Sequence, residues 1–149
     1  MTDDWSRDNC AVGGTLSVIG ERWTLLVLRE AFLGVRRFDQ LQRNTGMARN
    51  ILSDRLNTLV ANGILRRELY QERPRRYEYR LTEAGLDLYP VLTGLMDWGS
   101  RHLGGQAMTL IHKSCGATVM PHLACPECGE HVEARDMRAQ PRAAQREAS

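Results

Sequence analysis

The sequence predicts a mainly α-helical fold with a small β wing, that is, a winged helix-turn-helix. Helical periodicity recurs through residues 10–61, an arginine-tipped strand-turn-strand pattern follows over 64–81, and a last apolar helix is expected over 82–103. The chain has 149 residues, of which 42% are hydrophobic and 26% charged. It therefore has room for one domain of ordinary size and an accessory segment.

The first three helices are indicated by apolar side chains at helical spacing. Residues 10–20 and 23–33 fit two short helices, and residues 37–43 fit a third. Thr45-Gly46-Met47 then predicts a tight turn, because glycine adopts the backbone angles that a corner between two helices requires.

Residues 48–61 carry the clearest amphipathic pattern in the chain. Leu52, Leu56 and Leu59 fall on one stripe, and polar side chains occupy the opposite side. We expect the leucines to hold this helix to the body with its polar side outward. Asn62-Gly63 should end it with left-handed backbone angles.

A β-hairpin is predicted next. Residues 64–70 and 77–81 fit two strands, with Arg73, Pro74 and Arg75 in the loop between them. Proline costs no sheet hydrogen bond at such a position.

The last helix of the domain begins after Thr82, its expected N-cap, and should run to about Leu103 with a kink at Pro90. Its apolar face exceeds what a small core can cover, which predicts a homodimer. The chain then divides into an N-terminal arm (1–9), a winged helix-turn-helix and dimerisation domain (10–103), a C-terminal hairpin (104–137) and a disordered tail (138–149).

Charge is unevenly distributed along the chain. The net charge is only +2, yet residues 36–80 hold eleven arginines against five acidic residues. Such clustering is typical of proteins that bind a polyanion, although a solvated charged face is equally consistent with it. Arginine suits paired hydrogen bonds to phosphate or guanine better than lysine does.

The helix over 48–61 suits the major groove of double-stranded DNA, which is about 12 Å wide and admits one helix with donors and acceptors. Arg49, Asn50 and Ser53 lie near its start and are the candidate base contacts. The arginines of the hairpin would reach phosphates or the minor groove, and they are Arg73, Arg75 and Arg76.

Other arginines have weaker claims to a DNA contact. Arg55 borders the leucine stripe and is expected to form an internal ion pair. Arg36 and Arg37 are equally consistent with phosphate contacts and with surface charge. One of Arg66 and Arg67 is expected to be simply solvated.

Several stretches together resemble the HxlR-type winged-helix transcriptional regulators over about residues 5–103. The resemblance implies a dimeric DNA-binding regulator whose first and last helices form the interface, with 48–62 as recognition helix and 72–76 as wing. Ala48 departs from the family, in which a hydroxyl residue is common, and so removes a capping oxygen. The matching stretches are Cys10-Ala-Val-Gly, Ile19-Gly-Glu-Arg-Trp-Thr-Leu-Leu-Val-Leu-Arg-Glu, Gly34-Val-Arg-Arg-Phe-Asp-Gln-Leu, Ile51-Leu-Ser-Asp-Arg-Leu, Gly63-Ile-Leu and Tyr77-Glu-Tyr-Arg-Leu-Thr-Glu-Ala-Gly.

Three of the four cysteines cluster near the C-terminal end, which favours metal binding over a disulfide framework. Two turns carry the candidate ligands, each followed by a glycine that allows the backbone to turn. A closed site of four protein ligands predicts a structural zinc-ribbon-like element rather than a catalytic one. The ligands would be His112, Cys115, Cys125 and Cys128, with His122 and His131 as less well spaced alternatives, and simple reduced thiols remain the competing interpretation.

Cys10 stands alone at the start of the first helix, where the helix dipole favours a thiolate. Some members of the resembled family use a cysteine at the matching position as a thiol switch. A small buried residue at the dimer interface is the alternative interpretation.

Taken together, these features predict a cytoplasmic DNA-binding regulator and no enzyme. The acidic start lacks the layout of a secretory signal, and no apolar run approaches the ~20 residues of a membrane span. A repressor is expected, bound to a pseudo-palindromic operator and responsive to a small-molecule or redox signal.

Two other classes of function compete with the regulator. A zinc-dependent hydrolase needs an open coordination position and a general acid or base, and Glu127 and Glu130 beside the cysteines are not arranged as such a pair. A protein-interaction module would use the zinc hairpin as its grip. DNA binding should weaken steeply with salt, whereas a protein contact through the hairpin need not.

Overall fold

A computed structural model describes residues 10–140, so that the predicted arm (1–9) and residues 141–149 of the predicted tail lie outside the described residues. It has the predicted winged helix-turn-helix, mainly helical with small sheets. The domain consists of α1 (Ala11–Ile19), α2 (Arg22–Phe32), α3 (Phe38–Thr45), α4 (Arg49–Ala61), β1 (Leu65–Gln71), β2 (Arg76–Leu81), α5 (Glu83–Leu86) and α6 (Tyr89–Leu103).

The core lies between α2, α3, α4 and the start of β1. Leu52, Leu56 and Leu59 of α4 are fully buried, as the sequence predicted, and they form one cluster with Val27 and Leu28 of α2. Burial of a leucine side chain contributes about 1.5–3 kcal/mol. This apolar stripe therefore fixes which side of α4 faces solvent.

The wing is an antiparallel hairpin in which Leu65 pairs with Leu81 and Leu69 with Tyr77. A third stretch of chain joins its outer edge. The backbone N–H of Tyr79 donates to the carbonyl of Arg36 at 2.8 Å. The backbones of Arg37 and Glu78 form an isolated antiparallel β-bridge. The wing is thus tied to the segment that leads into α3.

Two local predictions are wrong. The helix expected over 82–103 is two helices, since Pro90 lacks an N–H and its ring would clash with the carbonyl of Leu86. Pro90 therefore sits in the first turn of α6, where proline is tolerated, and does not kink a continuous helix. At the end of α4 only Gly63 is left-handed, with φ 69°, whereas Asn62 has φ −93°.

The C-terminal segment forms two short hairpins where the sequence predicted one. The strands are β3 (Leu110–Ile111) with β4 (Thr118–Val119) and β5 (Leu123–Ala124) with β6 (His131–Val132), followed by a 3-10 turn at Ala134–Asp136. Residues 138–140 have no helix or strand.

Within 10–140, no single helix is long and apolar enough to cross a membrane. Helices α1 and α2 reach the required length and apolarity only when taken together, as a pair bent by 81°.

Candidate nucleic-acid interface

The corner between α3 and α4 is held by a left-handed glycine and by local hydrogen bonds. Gly46 has φ 70°, and its N–H donates to the carbonyl of Gln42 at 2.9 Å. The hydroxyl of Thr45 donates to the carbonyl of Leu41 at 2.7 Å. Met47 is buried immediately after the turn. These contacts set the angle at which α4 leaves the body.

The polar side of α4 faces solvent along the first half of the helix. Arg49, Asn50 and Ser53, the predicted base contacts, are all exposed, and so is Asn57 further along. Ala48 is the N-cap and supplies no side-chain hydrogen bond, in accord with the loss of a capping oxygen. The N–H groups of the first turn of α4 therefore remain available to an anionic partner.

A cleft of about 560 Å³ separates the start of α4 from the wing. Asp39 is the only acidic residue in its lining, and tyrosines from both wing strands form its far wall. The cleft is therefore strongly basic. Its arginines are Arg37, Arg43, Arg49, Arg75 and Arg76.

The cleft unites only part of the predicted site. It brings Arg49 of α4 together with Arg75 and Arg76 of the wing, whereas Asn50, Ser53 and Arg73 are exposed but outside its lining. Arg43 was not predicted as a contact. Its place in the predicted third helix, three residues before the turn at Gly46, is the signal in the sequence that could have indicated it.

Aromatic rings hold two of the cleft arginines in place. The guanidinium of Arg37 lies 4.6 Å from the ring centroid of Tyr70, and that of Arg49 lies 4.8 Å from the centroid of Phe38. Arg49 is also 4.0 Å from the carboxylate of Asp39, a weak and solvent-exposed ion pair. Stacking restricts the side chains while leaving their N–H groups free to bind an anion.

Four other arginines are engaged within the chain or along the strands. Arg55 pairs with Glu21 at 3.6 Å and Asp54 at 3.1 Å, as predicted. The guanidinium of Arg67 lies 3.6 Å from the ring centroid of Tyr77. The remaining two, Arg66 and Arg80, belong to a network on the wing strands.

The wing network combines two arginines with two glutamates. Arg66 donates to Glu68 at 2.6 Å, and Arg80 contacts Glu68 at 3.0 Å and Glu78 at 2.7 Å. The hydrogen bond from Arg66 holds the pKa of Glu68 below its ordinary value, and the one to Glu78 raises the pKa of Arg80. The charges of these four residues are thus balanced locally, whereas the arginines that line the cleft come from α4, the wing and the segment around α3.

Exposed apolar side chains cover parts of α1 and α6. On α6, Leu95 is 51% exposed, Trp98 53% and Leu103 74%. On α1, Val12 and Leu16 are likewise exposed. Patches of this kind mark surfaces that bind another protein.

A mainly apolar cavity of about 370 Å³ lies between α2, α6 and residues 106–110. Phe32 and Tyr89 line it with their ring centroids 5.0 Å apart, and Met96 and Met108 contribute flexible side chains.

Cys10, the candidate redox residue, is the half-buried N-cap of α1 and gives no side-chain cap to that helix.

The predicted metal ligands occupy the turns of the two C-terminal hairpins. The Nδ1 atom of His112 lies 3.1 Å from the sulfur of Cys115. Backbone N–H groups of Cys128 and Glu127 point at the sulfur of Cys125 and lower the pKa of that thiol, with a further contribution from the Cys128 side chain. Among residues 10–140, no three His, Cys, Asp or Glu side chains lie close enough to share one metal ion.

Comparison with known proteins gives concordant matches. Residues 18–107 match the model of the HxlR-like helix-turn-helix family. The HTH-type transcriptional regulator Rv3095 of Mycobacterium tuberculosis is 49% identical over 134 residues, which cover 88% of this chain and 85% of Rv3095.

Two solved structures are similar in fold as well as in sequence. The crystal structure of PA1607, a protein proposed to be a transcription factor, has a TM-score of 0.77 at 30% identity and covers 94% of this chain and 99% of its own. The redox regulator HypR in its reduced form has a TM-score of 0.57 at 34% identity and covers 62% of this chain and 94% of its own.

Proposed function

The chain belongs to the HxlR-like helix-turn-helix family of transcriptional regulators, and from this premise we propose that it is a dimeric repressor of a pseudo-palindromic operator. The observation that carries the proposal is the basic cleft between the start of α4 and the wing. A helix set in the major groove would bring the adjacent phosphates to this cleft.

Base recognition is assigned to the first turn and a half of α4. Arg49 can form paired hydrogen bonds with guanine and Asn50 with adenine, each contributing about 1–3 kcal/mol of discrimination. The exposed hydroxyl of Ser53 can form a hydrogen bond with either guanine or adenine. The leucine stripe on the opposite side keeps these groups directed outward.

Positioning on the duplex is assigned to the wing and α3. Arg75 and Arg76 face the cleft, and Arg73 is exposed at the tip of the same loop. Arg37 and Arg43 add positive charge from the other side. Contacts with phosphate carry no sequence information, so these residues would govern affinity and its salt dependence.

Dimerisation is assigned to the apolar faces of α1 and α6. Two copies related by a two-fold axis would cover these faces and present two α4 helices to half-sites about one helical turn apart. A bound dimer needs no additional surface to obstruct polymerase, which favours repression over activation. The cytoplasm is the compartment consistent with this role.

The inducing signal is assigned first to a small apolar molecule. The 370 Å³ cavity borders α2, and α3 and α4 pack against α2. A molecule bound in the cavity would therefore change the position of α4 through the core. The redox alternative uses Cys10, and HypR is a redox regulator of similar fold. Oxidant-induced release of DNA that persists in Cys10→Ser would exclude Cys10 as the redox sensor.

Capture of fragmented genomic DNA by the purified chain tests the proposal directly. We expect a few retained fragments sharing an inverted repeat, and nuclease footprints with two protected half-sites. Retention of fragments without any common sequence, or affinity that is independent of salt, would contradict the proposed operator binding.

A further inference from the structure

The two turns near the C-terminal end are structural copies of each other. The N–H of His112 donates to the carbonyl of Ala117 at 2.9 Å, and the N–H of Gly116 donates back to His112 at 2.8 Å. In the second turn, Cys125 donates to Glu130 at 2.9 Å and Gly129 donates back to Cys125 at 2.8 Å. We call the first turn (residues 112–116) and the second (125–129) the two knuckles.

The backbone of each knuckle brings its first and fourth side chains to the same side. Gly116 and Gly129 follow the second of these side chains with φ 73° and 76°, a left-handed conformation that lets the chain fold back. In the first knuckle, the Nδ1 atom of His112 lies 3.1 Å from the sulfur of Cys115. Zinc bonds of about 2.0–2.3 Å at a tetrahedral angle place two ligands about 3.6 Å apart, so these two atoms need to separate by only about 0.5 Å to bind one ion.

The segment that carries the knuckles has almost no core of its own. From residue 104 to 140, only Leu110, Cys125 and Val132 are even half-buried, and every other described residue is exposed. Two-residue strands cannot supply the missing stability. Such segments fold when a metal ion replaces the apolar core.

We propose that the two knuckles are half-sites of one structural Zn²⁺ ion, held by His112, Cys115, Cys125 and Cys128. Because no three of these side chains yet converge in the described chain, metal binding must draw the two hairpins together. The three thiols would lose their protons to solvent as the ion binds, and neutral His112 would contribute a nitrogen. Four protein ligands leave no position for a reactive water, so the site is structural.

The zinc content of the full chain gives the first test. Elemental analysis of protein purified without chelator, and again after loading with Zn²⁺, should give one zinc per chain. Cys115→Ser and Cys128→Ser should each lose most of it, whereas the control Cys10→Ser should retain it. A loaded chain well below one zinc, or Cys115→Ser with full zinc, would overturn the proposal.

Cobalt substitution identifies the ligands. Co²⁺ added to the metal-free chain should give the visible bands of a tetrahedral ion and thiolate charge-transfer absorption in the near ultraviolet. His112→Ala should alter the visible bands, and His131→Ala should leave them unchanged. The reverse result would assign the nitrogen ligand to the pair of His122 and His131, whose rings lie 5.0 Å apart, and would overturn the ligand set.

Limited proteolysis reports closure of the hairpins. A strong chelator should expose sites between residues 104 and 137 to cleavage while residues 10–103 remain intact by mass spectrometry. Readdition of Zn²⁺ should restore resistance. Identical cleavage patterns with and without metal would contradict closure, whether or not zinc binds.

Discussion

The side-chain amide of Asn44 donates a 2.7 Å hydrogen bond to the carboxylate of Glu30, a residue only 4% exposed. Arg29 binds the other oxygen of the same carboxylate at 2.8 Å. The contact joins α2 to α3 through a buried charge. It therefore helps to set where α3 directs the chain into α4.

Asn44→Ala should lower the free energy of unfolding by about 1–3 kcal/mol, because a buried carboxylate oxygen loses its partner. Urea unfolding followed by circular dichroism measures the change. Asn57→Ala removes an exposed amide and serves as the control, with an expected effect below about 0.5 kcal/mol. Equal effects of the two substitutions would show that the contact with Glu30 adds no stability.

Arg73→Ala combined with Arg75→Ala should weaken binding to every duplex. Loss of two phosphate contacts should also reduce the slope of log affinity against log salt by about 1.8. Fluorescence anisotropy across a salt series gives both quantities. Arg135→Ala with Arg138→Ala removes the same charge from exposed positions outside the interface and should leave the slope unchanged. A slope equal to that of the parent would exclude the wing from phosphate binding.

Asn50→Ala should relax sequence preference at one base pair in each half-site. The discrimination lost there should be about 1–3 kcal/mol, while affinity for random duplex stays constant. Competition among single-base operator variants provides the measurement. Thr58→Ala, further along α4 and half-buried, should preserve the preference. An unchanged preference in Asn50→Ala would place base recognition elsewhere.

Trp98→Glu should dissociate the proposed dimer, because a carboxylate on the apolar face of α6 must otherwise be buried without a partner. We expect the dissociation constant to rise at least about tenfold. Analytical ultracentrifugation measures it. Met137→Glu makes the same kind of change at another exposed apolar side chain, outside α1 and α6. If only this second substitution dissociated the dimer, the assigned interface would be wrong.

Gly85→Ala should destabilise the domain by about 1–3 kcal/mol, because an added Cβ would meet the carbonyl oxygen of Ile64 and the side chain of Leu81. Thermal unfolding reports the effect as a lower Tm. At Gly105 a Cβ would have its nearest contact at 3.9 Å, so Gly105→Ala is the matched control and should leave Tm nearly unchanged. A Tm for Gly85→Ala equal to that of the parent would refute the close approach.

Sequence periodicity was sufficient for the helices of the motif. Leu52, Leu56 and Leu59 recur at helical spacing, and one buried stripe both identifies α4 and fixes its outward side. The glycine in Thr45-Gly46-Met47 was sufficient to predict the turn between α3 and α4, where Gly46 has φ 70°. These features are local, so a single stretch of chain contains all the information they need.

Features made by distant parts of the chain were not predictable in the same way. The cleft exists because residues 36–37 join the edge of the wing, which brings Arg37 and Arg43 opposite Arg75 and Arg76. No spacing in the sequence encodes that approach. The contact between Asn44 and Glu30 is similar, since a buried carboxylate cannot be distinguished from an exposed one until its neighbours are known.

The hydrogen bond between the Tyr79 N–H and the Arg36 carbonyl has a consequence for the entropy of association. A free hairpin would have to give up its own motion on meeting a duplex, at a cost that subtracts from affinity. Here strand β2 of the wing is already joined to the start of α3 in the unbound chain. The loop of residues 72–75 and its arginine side chains are the part of the wing that remains to be ordered when DNA arrives.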